Sequence, residues 1–111
     1  MTLQEQYEQL EKTIRGYNAA AAFDQIRAAF EYADKCHEGQ KRKSGEPYII
    51  HPLAVAQIVA DQKLDSESII AALLHDVIED TEATHEDVAR LFSPTIANLV
   101  EGVSKLTRIQ Y

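Results

Sequence analysis

The sequence predicts an all-α fold, and three observations carry that prediction. Apolar residues recur at three- and four-residue intervals in nearly every stretch, which is helical spacing. No segment alternates apolar and polar residues as a half-buried strand would. Particular start and stop signals punctuate these stretches: Gly39, Glu46-Pro47, Asp65-Ser66, Thr84 with Asp87, and Ser93-Pro94.

The elements follow in order. Residues from about Thr2 to Tyr17 carry Leu3, Tyr7, Leu10 and Ile14, a narrow apolar stripe on a polar helix, and Gly16 and Asn18 offer a stop. A second helix is expected from about Ala20 to His37, with Phe23, Ile26, Phe30 and Ala33 facing inward and Gly39 as its C′ glycine. GQKRKSGEP, from Gly39 to Pro47, is the one extended loop, and Glu46-Pro47 marks its end. A third helix runs from about Pro52 to Gln62, with Leu53, Ala56, Val59 and Ala60 on its packing face. Asp65 or Ser66 caps a central helix. Thr84 and Asp87 form a capping box for a short helix from Thr84 to Phe92. Ser93-Pro94 reads as N-cap and first turn of the last helix, which carries Ile96, Leu99, Val100 and Val103.

The central stretch, Ile69 to Thr81, reads IIAALLHDVIEDT. On one continuous helix His75 pairs with Glu79, and Asp76 with Asp80, as i,i+4 neighbours. These four fill one arc, and apolar residues occupy nearly all the rest, so the helix is expected to be buried. Burying three carboxylates and an imidazole unpaired costs roughly several kcal/mol per ion. A bound divalent metal is the simplest partner that makes the cluster tolerable.

His51, just before Pro52, joins His75 and Asp76 to make an N,N,O donor set of the kind that takes zinc, manganese or iron. Glu79 and Asp80 lie one turn further on. Two carboxylates so close repel, so one is expected to hold its proton more tightly and serve as general acid or base. The plainer alternative is a pair capping the turn at Thr81. Lys41, Arg42, Lys43, Ser44 and Gly45 have the composition of an anion cradle. Its plainer alternative is a solvated basic loop, but the place directly before His51 favours the cradle. His37 and His85 read as ordinary helix-end residues, and Tyr48 as either a base-stacking ring or a core plug.

Composition narrows the functions. With 18 acidic and 11 basic residues the formal net charge is −7, which argues against a general nucleic-acid binder. Cys36 is the only cysteine, so no intrachain disulfide forms, as suits a reducing cytosol. No basic and apolar leader opens the chain, and no apolar run approaches the roughly 18 residues of a membrane span. A cytoplasmic domain free of the membrane is expected. The last helix has no polar tail after it, and the chain is expected to be a piece of something longer.

HEGQKRKSGEPYIIHPLAVA (His37 to Ala56), ALLHDVIEDT (Ala72 to Thr81) and GVSKLTRIQY (Gly102 to Tyr111) resemble the hydrolase domain of RelA/SpoT-type (p)ppGpp synthetase/hydrolases, members of the HD superfamily of metal-dependent phosphohydrolases. The resemblance covers about residues 20 to 111. It implies an HD-domain helical bundle over 19–111, with residues 1–18 as a separate N-terminal helix. It implies further that His51, His75 and Asp76 ligate manganese, and that Glu79 and Asp80 activate the attacking water. Arg42 and Lys43 would flank the guanine base of a bound nucleotide, with Ser44 in the same loop. The implied reaction removes the 3′-pyrophosphate of (p)ppGpp, giving GDP or GTP and pyrophosphate. The family's remaining metal ligand, an aspartate in a later motif resembling LADRLHN, has no counterpart in these residues. Two other readings stand beside this one: an HD phosphohydrolase acting on another nucleotide, and a non-catalytic fragment that self-associates through apolar surface.

Overall fold

The computed structural model describes residues 2–109, and the side chains of residues 2–102. Among the described residues the regular structure is seven α-helices, and no strand longer than a single bridge occurs. The all-α expectation holds. Val103, and with it the stretch to Tyr111, lies outside the residues whose side chains are described.

Helix α1 (Leu3–Tyr17) starts at a capping box, in which the Thr2 hydroxyl accepts from the Glu5 amide and the Glu5 carboxylate accepts from the Thr2 amide. Its stripe residues Tyr7, Leu10 and Ile14 are buried. The helix lies against α3, and the Tyr7 ring stacks on Phe30 at 4.5 Å between centroids. Helix α2 (Phe23–Cys36) begins later than the alanine run suggests. The Asn18 side chain and carbonyl take the amides of Ala20 and Ala21, and the Ser66 hydroxyl takes that of Ala22. These bonds offer the backbone a turn in place of a first helical turn.

Gly39 follows two residues beyond the cap His37, at φ 86°, a backbone conformation that favours glycine. The loop after it folds as a small hairpin, closed by a bridge between Lys41 and Pro47. Helix α3 (Ile50–Asp61) ends in a Schellman motif, with the Lys63 amide on the Ala60 carbonyl and the Leu64 amide on that of Val59. Lys63 takes the left-handed position at φ 60°.

Helix α4 (Ser66–Leu74) is the centre of the molecule and packs on α2, α3 and α7. Ile69 through Leu74 are all buried, as a helix apolar on every side requires. The short α5 (Val77–Asp80) follows it after a two-residue break. Helix α6 (His85–Leu91) carries the expected Thr84–Asp87 capping box, and α7 (Pro94–Ile109) is opened by the Ser93 hydroxyl accepting from the Ile96 amide. On α7 the inward face is Ile96, Ala97 and Val100. Leu99, expected among them, is 39% exposed; the inward arc is set by α4 and α6, and Leu99 falls just outside it. None of the described helices is long and apolar enough to cross a membrane.

Candidate metal centre and anion cleft

The expectation of one continuous helix over Ile69–Thr81 is corrected at its most polar point. The helix breaks at His75 and Asp76, and Asp76 sits at φ −95° and ψ −7°, the bridge region where active-site residues are often found. A local competition accounts for the break. The His75 ring places Nδ1 2.7 Å from the carbonyl oxygen of Ala72, the group an unbroken helix would offer to the Asp76 amide. A carbonyl only accepts, so Nδ1 carries the proton. In the neutral form of the ring, the one that binds a metal, the lone pair is therefore on Nε2.

That nitrogen faces Asp76. His75 Nε2 lies 3.2 Å from Asp76 Oδ2, and His51 Nε2, delivered from the first turn of α3, lies 3.5 Å from the same oxygen. The two imidazoles meet edge to face at 5.4 Å between centroids. One donor atom from each of His51, His75 and Asp76 falls within 4.8 Å of the other two. His75 and Asp76 are buried, at 6% and 9% exposure. Burial holds the His51 imidazole below its ordinary pKa; Asp76 opposes this, while His75 and Arg42 reinforce it. Two imidazole nitrogens and a carboxylate oxygen converging where the core meets the cleft suit a divalent cation. The donor set fits a metal, and the Nδ1 bond to Ala72 is the second-shell support that fixes a ligating ring.

Glu79 and Asp80 depart from expectation. Both are exposed, because the break turns α5 outward, so burial reaches only His75 and Asp76 among the four ionisable residues. Solvent screens the repulsion between the two carboxylates. Asp80 is nevertheless brought to the triad by a residue the sequence left undecided. The Tyr48 hydroxyl lies 3.0 Å from Asp76 Oδ2 and 3.0 Å from Asp80 Oδ2. Burial first, then the bond to Asp80, raises the Tyr48 pKa, so the phenol remains a donor. Tyr48 is half-buried rather than a core plug: one face of its ring lies on His37 at 4.6 Å, and the residue also lines the cleft beside the cations. The signal available in sequence was its place three residues before His51, on the same side of the incoming turn.

His37 ends its helix as expected, and its burial is the addition. It caps α2 but is only 2% exposed, with Nδ1 3.3 Å from Gln40 Oε1. His85 fits the ordinary reading, paired with Asn98 and Glu101 near the surface.

The hairpin loop places its cations beside the triad. The Arg42 amide bonds to the Glu46 carbonyl, and the Gly45 amide to the Arg42 carbonyl, with Gly45 at φ 89° closing the turn. Lys41, Arg42, Lys43 and Ser44 then form one wall of a cleft of about 590 Å³, with Tyr48 and His51 as the other. His51 thus belongs to both the cleft and the triad.

An all-α bundle with a His, His-Asp triad at a broken central helix defines a class. Residues 29–111 match the HD domain, and the chain belongs to that family. Its relatives are more particular. It is 51% identical over 105 residues to the bifunctional (p)ppGpp synthase/hydrolase SpoT of Escherichia coli K12, covering 95% of this chain and 15% of that one. It is 50% identical over 104 residues to the guanosine-3′,5′-bis(diphosphate) 3′-pyrophosphohydrolase of Aquifex aeolicus, with 94% and 15% covered. A GTP pyrophosphokinase of Myxococcus xanthus is 50% identical over 96 residues, with 86% and 13% covered. Among solved structures, a metazoan SpoT ortholog that hydrolyses ppGpp and plays a role in starvation responses superposes with a TM-score of 0.66 at 37% identity, covering 69% of this chain and 46% of that one. The chain therefore spans about 13 to 15% of the length of these curated relatives.

Proposed function

We propose that this chain is the metal-binding hydrolase region of a (p)ppGpp 3′-pyrophosphohydrolase, with residues 19–111 as the HD domain and 1–18 as a helix laid upon it. The observation that carries the proposal is the shared position of His51, which closes the metal triad and lines the cationic cleft. A nucleotide with pyrophosphate on its 3′ oxygen needs both features at once.

In this reading His51, His75 and Asp76 hold a divalent cation, for which we propose manganese. The cation supplies Lewis-acid polarisation of the phosphoryl group under attack. Arg42 and Lys43 receive the anionic nucleotide and flank its base, and the Ser44 hydroxyl donates to it. Glu79 and Asp80 act on water. Asp80, held beside Asp76 by the Tyr48 hydroxyl, takes the proton of a water attacking the phosphorus, and Glu79 stands exposed on the same turn to relay it to solvent. The bond between phosphorus and the ribose 3′ oxygen breaks, that oxygen takes up a proton from solvent, and GDP or GTP and pyrophosphate result. A cytoplasmic location is part of this proposal.

The test is metal content and (p)ppGpp turnover on one sample, with and without added manganese. Stoichiometric metal and pyrophosphate release, both lost in Asp76→Ala, are expected. Metal binding without turnover, even in a version extended through the relatives' downstream helices, would remove the hydrolase reading.

A further inference from the structure

We propose that Tyr48 is a positioning residue for the triad: it fixes the direction of Asp76 Oδ2 and ties Asp80 to it, with Gln40 holding the other side of the same clamp. The inference rests on the metal reading of His51, His75 and Asp76.

Asp76 Oδ2 is the oxygen that both imidazoles face, and the Tyr48 hydroxyl lies 3.0 Å from it. The same hydroxyl lies 3.0 Å from Asp80 Oδ2. A phenol has one proton and two lone pairs, so it keeps both carboxylates within one hydroxyl's reach while fully serving one at a time. Its own position is set from behind. The ring stacks on buried His37, and the Tyr48 amide donates to the Gln40 carbonyl at 3.1 Å. Gln40 in turn donates from Nε2 to the backbone carbonyl of Asp80 at 2.7 Å and meets His37 Nδ1 through Oε1. Asp80 is thus held at its side chain by one end of the cationic hairpin and at its backbone by the other. The loop that carries Lys41, Arg42 and Lys43 is thereby tied to the turn that carries Asp76 and Asp80. Outer-shell partners of this kind matter because a metal binds a carboxylate only along particular directions.

The test is Tyr48→Phe in the full chain, titrated with manganese alone while the free ion is followed by electron paramagnetic resonance. Phe retains the ring on His37 and removes only the hydroxyl. The dissociation constant is expected to rise about 10- to 100-fold. Turnover of (p)ppGpp at low manganese should fall and rise again as manganese is raised, while the melting temperature of Tyr48→Phe in chelator, where no metal can prop the fold, stays close to the parent's. Gln40→Ala should shift the affinity in the same direction by less, and it carries the test should Tyr48→Phe not fold. An affinity within twofold of the parent in the folded variant overturns this inference alone. A parent chain that binds no manganese overturns the metal reading and this inference together.

Discussion

The His75 ring donates from Nδ1 to the Ala72 carbonyl at 2.7 Å, three residues back along its own helix. That bond breaks the helix, fixes the tautomer and leaves Nε2 directed at Asp76. One interaction therefore sets both the local fold and the chemistry of the site. Asp76 then adopts a backbone conformation that a regular helix would not give it, and its carboxylate swings toward His51.

A site built this way should couple metal binding to stability. A cation at about 100 times its dissociation constant adds about 2.7 kcal/mol. In a domain of this size that corresponds to a rise in Tm on the order of 10 °C. Calorimetry with manganese against chelator measures it, and Asp76→Ala should abolish the difference.

The sign of the pH dependence follows from His51. Its folded pKa is below the ordinary value of 6.5, so the unfolded chain binds more protons as pH falls below that value. Stability contributed by the neutral ring is complete above pH 6.5 and is lost as pH drops toward the folded pKa. Urea midpoints in chelator at pH 7.5 and 5.5 should differ, and His51→Gln should narrow the gap.

The cleft makes a separate prediction. Charge-assisted bonds to phosphate contribute about 1.5 to 3 kcal/mol, so Arg42→Ala or Lys43→Ala should raise the KM for (p)ppGpp about 10- to 100-fold. The metal affinity should be unchanged in Lys43→Ala and, if anything, slightly higher in Arg42→Ala, which removes a positive charge acting on His51. Substrate titrations at two ionic strengths check this, because loss of a cation flattens the salt dependence.

How much of this was legible in the sequence depended on the range of the interaction. Caps are local, and Thr84 and Ser93 lie where their sequence signals place them. The triad was legible because His, His-Asp is an unusual set inside an apolar helix. The break at His75 was not, since a side chain competing for a backbone carbonyl leaves no trace in periodicity. Tyr48 and Gln40 were missed for a different reason: their partners Asp76 and Asp80 are 28 to 40 residues away. Leu99 satisfies helical spacing yet lies outside the buried arc, because spacing gives a face but not its width.

The last prediction concerns the Schellman turn after α3. Lys63 occupies the left-handed position at φ 60°, where a side chain's Cβ crowds the backbone and glycine does not. The turn is worth that strain because it aims Leu64, whose carbonyl accepts the Tyr17 hydroxyl at 2.7 Å and links α1 to the start of the central helix. Lys63 is exposed and uses no side-chain contact to hold the turn. Glycine relieves the crowding but frees the unfolded chain, so the two effects partly cancel. Lys63→Gly should therefore stabilise the chain by about 0.5 to 1 kcal/mol. Lys63→Val should destabilise it by more than that, since a β-branched residue tolerates positive φ least. Denaturant midpoints of the two variants on either side of the parent would show that this turn is under backbone strain; a Lys63→Gly midpoint below the parent would show that it is not.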